Sequence, residues 1–154
     1  MKVPVGLVLL VALATPPAAA SDPLASLRFL VGTWDCTYQA GTTRVYYKAT
    51  YVYDIGNNWL RENDAWSGGG SDLGMISYDP KSHAWIEAAM EPERSLTVFR
   101  ASGNNPNHLV YRSVYPKAGM TDVFERKSAT RYTLDFSQIT GGRTMRSADV
   151  CVKR

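Results

Sequence analysis

Apolar and polar residues alternate with a period of two along most of this chain, in short runs separated by clusters of Gly, Asn, Pro and Ser. The runs are Thr33–Gln39, Thr43–Asp54, Trp59–Ala65, Leu73–Tyr78, Ala84–Met90, Ser95–Ala101, Leu109–Val114, Asp122–Lys127, Arg131–Ser137 and Thr144–Val152. Between them lie turn sequences such as IGNN at 55–58, SGGGSD at 67–72, DPKS at 79–82 and TGG at 140–142. Links this short make each strand pair with its successor. The pattern therefore predicts an all-β fold of about ten strands: a closed antiparallel up-and-down barrel, since closure removes the exposed edges that invite aggregation. Only the segment before the first run has helical spacing. There Asp22 is placed to cap, Pro23 suits the first helical turn, and Leu24, Leu27 and Leu30 or Val31 recur on one side up to Gly32.

Strand parity assigns the faces. In the second run Val45, Tyr47, Ala49, Tyr51 and Tyr53 are expected inside; in the fifth, Ile86, Ala88 and Met90 inside with Glu87 and Glu91 in water; in the ninth, Tyr132, Leu134 and Phe136 inside. The expected lumen is apolar with phenolic hydroxyls, lined by Tyr47, Tyr51, Ile86, Met90, Phe99 and Tyr111. The third run, WLREND, carries the open question. An even-numbered hairpin loop puts Leu60, Glu62 and Asp64 on the face of Tyr51, whereas a three-residue loop puts Arg61 there. A bulge would instead leave every charge in solvent. The even loop is the reading adopted, with Glu62 as the polar contact inside.

The first twenty residues change the compartment. A basic Met1-Lys2 start, the apolar run VGLVLLVALA and the small residues PPAAA read as a secretory signal peptide cleaved after Ala20, leaving one domain over residues 21–154. The expected protein is secreted or periplasmic, and no later stretch is long and apolar enough for a membrane-spanning helix. The net charge of the whole chain is +3, without basic clusters, which argues against a nucleic-acid partner. Two cysteines in an exported chain point to one disulfide, Cys36 to Cys151. In a closed meander of even strand number the first and last strands are antiparallel neighbours, so both sulfurs fall at the same end. Two separate buried thiols are the alternative.

Neither histidine, His83 or His108, belongs to a recognised metal-ligand set or sits beside a nucleophile motif, so no metal, cofactor or catalytic residue is assigned. The short helix, VGTW on the first strand, YDIGNNWLRE, LGMISYDPKSHAW and the terminal CVKR together resemble the lipocalin-like (calycin) barrels, and within them the DUF1579 family, distantly similar to nitrobindin-type barrels. The resemblance implies that Trp34 plugs the closed end beneath the helix. It also implies a basic partner from a late strand, with Arg143, Arg146 and Arg154 as candidates and Arg146 the one chosen. It does not extend to haem, because the chain has GTWDCTYQAG at its start and no histidine after His108. The expected function is binding of a small, mainly apolar molecule. Two alternatives remain: a structural or interaction module of the cell envelope with a filled barrel, docking through Tyr46, Val52 and Trp85, and an enzyme with Glu62 or Asp64 as base.

Overall fold

Leu24, Leu27 and Leu30 are spaced by three, and in a 3₁₀ helix residues three apart lie one above another. Pro23–Leu30 adopts that helix, its N-terminus capped by the Asp22 carboxylate, which accepts from the Leu24 N–H at 3.0 Å. All three leucines are buried. The computed structural model describes residues 22–103 and 105–154, so the segment 1–20 expected to be a signal peptide lies outside the described residues.

The remaining chain forms ten strands: β1 Gly32–Ala40, β2 Thr43–Asp54, β3 Trp59–Trp66, β4 Ser71–Asp79, β5 Ala84–Met90, β6 Leu96–Ser102, β7 His108–Tyr115, β8 Met120–Ser128, β9 Arg131–Thr140 and β10 Arg143–Lys153. Every strand pairs antiparallel with its neighbour in sequence, and β1 pairs with β10 to close the barrel. That last pairing sets Cys36 directly opposite Cys151, and the two are disulfide-bonded.

The closed end is filled by the helix and by Trp34, which is wholly buried. Its indole Nε1 donates to the Leu30 carbonyl at 2.7 Å, and its ring meets Tyr132 edge-on with centroids 4.8 Å apart. The cation over Trp34 is Lys153, whose Nζ lies 5.2 Å from the ring centroid and donates to the Phe29 carbonyl at 2.6 Å. This corrects the choice of Arg146, which is exposed. Trp34 pairs across the sheet with Lys153; Arg146 is an odd number of residues away on β10 and so points from the opposite face. Arg154 binds Asp35 at 2.8 Å on the surface instead.

Parity on β5 runs opposite to expectation. Glu87 is paired with Ile76 and Phe99, both buried, and Trp85 with the buried Ala101, so Trp85, Glu87 and Ala89 face inward. Ile86 and Met90 therefore stand on the outer face, and Trp85 is buried against Tyr78, which removes it from any outer docking surface.

Candidate ligand-binding site

The β2–β3 turn at 55–58 has four residues, and the resulting register places Tyr51 opposite Glu62 and Ala49 opposite Asp64. Glu62 is buried, and its carboxylate accepts a hydrogen bond from the Tyr51 hydroxyl. Tyr51 and Tyr132 are in turn linked through their hydroxyls at 2.9 Å. Arg61, one residue along, points outward to Asp54 at 3.3 Å. Room for the Glu62 side chain comes from Gly74 opposite it on β4: a Cβ there would lie 2.9 Å from Glu62 Oε2 and 3.2 Å from Glu62 Cβ.

Away from the helix the barrel is hollow. A cavity of about 580 Å³ opens between the ends of the strands, and every strand except β7 contributes to its wall. Tyr38, Tyr47 and Trp66 form an aromatic panel, with Tyr47 and Trp66 centroids 4.4 Å apart and Tyr38 edge-on to Trp66 at 6.0 Å. The rest of the wall is unusual for an apolar barrel. Glu62, Asp64, Asp72, Glu87, Asp122 and Asp149 all line it, with the exposed Glu91 at the rim, and none of the lining residues is Lys, Arg or His. A second void of about 20 Å³, room for about one water, lies deeper among Leu27, Tyr51, Glu62, Tyr111 and Phe124.

Crowding and burial act on these acids together. Burial raises the Glu62 carboxyl, against the opposing hydrogen bond from Tyr51. Asp64 is raised by burial and then by the neighbouring Glu62 charge, and Glu87 by burial and then by Asp122. Asp122 is raised by burial and by Asp135. Asp149 is pushed up to about 7 by burial, offset in part by a hydrogen bond from Tyr47. Burial likewise raises Tyr47, Tyr51, Tyr111 and Tyr132, which stay phenols at neutral pH. Near neutrality this lumen is a set of acids that burial and mutual repulsion hold toward the protonated form and that lack a cationic partner in the wall.

Of the residues proposed from the sequence, Tyr47, Glu62 and Phe99 line the main cavity. Tyr51 and Tyr111 line the smaller void. Ile86 and Met90 are absent from both. Sequence reasoning missed Glu87 because it assumed an apolar interior. Asp149 was within reach of the sequence, since it shares parity with Cys151, whose sulfur must point toward Cys36.

No protein-family model matches the sequence, and no curated protein matches it either. Among solved structures the chain is similar to the S-type phycobiliprotein lyase of Guillardia theta, with a TM-score of 0.54, 8% identity, and coverage of 86% of this chain and 93% of that one. The fold is a closed antiparallel barrel of ten strands. At that identity the likeness speaks for the fold alone, and the site must be argued from its own residues.

Proposed function

We propose that this chain is an exported small-molecule-binding protein whose ligand occupies the lumen of the barrel. The observation that carries the reading is the cavity itself: about 580 Å³ falls inside the range of about 300 to 1,000 Å³ typical of ligand pockets, where a purely structural barrel would fill the space with side chains. The similar fold of the phycobiliprotein lyase is compatible with it. The leader at residues 1–20 and the Cys36–Cys151 bond support export, and the DUF1579 and nitrobindin-type likeness rests on the sequence motifs alone.

The test is titration with N-phenyl-1-naphthylamine, a dye uncharged at neutral pH that fluoresces in apolar surroundings. Saturable uptake of one equivalent per chain, abolished by Ala89→Trp on the lumen wall, is the expected result. Absence of saturable uptake, or uptake indifferent to that substitution, would reject the lumen as a binding site.

A further inference from the structure

From the composition of the wall we infer that the lumen selects an organic cation: a primary or substituted amine joined to an apolar or aromatic body. The inference rests on the ligand-binding reading above and adds the chemical class. Three independent features of the site converge on it.

The first is charge. Six inward carboxyl groups from β3, β4, β5, β8 and β10 share one cavity that no Lys, Arg or His lines, so a cationic ligand gains by drawing them into the ionised form, an anionic one is repelled by those that ionise, and a neutral one offers them no charge. The second is hydrogen bonding. Glu87 and Asp122 line the cavity, and among the described residues neither carboxyl makes a side-chain hydrogen bond. An ammonium group brings up to three donors and a positive charge to them. The third is the panel of Tyr38, Tyr47 and Trp66 beside the acids, whose ring faces attract cations and cover apolar surface. The carboxyls are spread around the wall, and among the described residues no three His, Cys, Asp or Glu side chains are gathered to hold a metal ion. That spread suits a cation whose charge sits on an extended body better than a compact divalent ion.

The arrangement gives the ligand a direction. Trp66 and Asp72 lie at the β3–β4 hairpin, while Glu62 and Glu87 also border the deeper void. Asp122 is paired with Tyr111 of the deeper void, whereas Asp149 is paired with Tyr38 of the aromatic panel, so the ammonium group enters toward Asp122 and the apolar body rests against the panel beside Asp149.

The test is calorimetric titration near neutral pH with three probes of one shape: 4-phenylbutylamine, 4-phenylbutan-1-ol and 4-phenylbutyrate. The amine is expected to bind at least about tenfold more tightly than the alcohol, with the acid weakest. The double variant Asp122→Asn/Asp149→Asn keeps shape and removes charge; it should lose about tenfold in amine affinity while leaving the alcohol within about twofold. If the alcohol or the acid binds as tightly as the amine, the cation inference is overturned while the binding reading stands. If none of the three binds and the neutral dye is also refused, both fall. Displacement of the amine by calcium, one ion for one molecule, would overturn the inference in favour of a metal site.

Discussion

At the scale of single residues, burial decides which side chains matter to the fold. Trp34 fills the closed end with no solvent exposure, in contact with Leu30, Phe29, Tyr132 and Lys153 at once. Trp34→Ala is expected to cost about 3 to 5 kcal/mol in urea unfolding, through lost burial and the hole left behind. Lys153→Met keeps most of the stem packing but removes both the bond to the Phe29 carbonyl and the charge over the indole. A loss of about 1 to 2 kcal/mol is expected in the same measurement, and an unchanged midpoint would show the cation to be ornamental. The VGTW motif was legible in the sequence as the place of the plug. Its cationic partner was not, because three arginines near the C-terminus compete on chemistry and only the β1–β10 register selects the lysine.

At the scale of elements, the hairpins set what enters the lumen. The four-residue β2–β3 turn brings Glu62 inside, and the glycine opposite on β4 gives it space. Gly74→Ala would press on Glu62 Cβ, where the side chain has no freedom to swing away. It is expected to destabilise the protein by about 1 to 3 kcal/mol and to shift the Tyr51 and Glu62 resonances together, read by urea unfolding and by NMR. On β1 and β10 the cross-link joins strands 115 residues apart in sequence. The variant Cys36→Ala/Cys151→Ala should lose about 3 to 5 kcal/mol, by releasing the unfolded chain from that loop. The period of β5 was readable from Ala84–Met90, but its phase was not. Ile86, Ala88 and Met90 form as good an apolar row as any, and it takes pairing with Ile76 and Phe99 to turn Glu87 inward.

At the scale of the whole molecule, six carboxyls are gathered in a lumen that no lysine, arginine or histidine lines. The formal charge of +3 hides a lumen whose ionisable lining residues are carboxyls and phenols, inside a shell that carries the basic residues. This has a consequence for stability against pH. The Asp149 carboxyl titrates at about 7 in the native protein against 3.8 in an unfolded chain, so between those values the native state holds a proton that the unfolded state has lost. Its contribution is complete below about pH 4 and disappears as pH rises through about 7. Asp64, Glu87 and Asp122 are raised in the same direction. Asp79 and Glu125 are lowered, but they are exposed and act only on the acid side of their ordinary values. The ligand-free protein is therefore expected to melt several degrees higher near pH 5 than near pH 8, checked by calorimetry. A melting temperature that rises with pH over that interval would contradict the burial of these acids.

By itself, the amino-acid sequence determined the strand count, the meander, the capping helix and the cysteine pair, because alternation, turn residues and three-residue leucine spacing are local properties that each segment carries with it. Tertiary structure alone decided which face of β5 looks inward, which cation covers Trp34, and that acids from five separate strands share one hollow. Those outcomes depend on register across closed neighbours, and a register is a relation between segments that no single segment encodes.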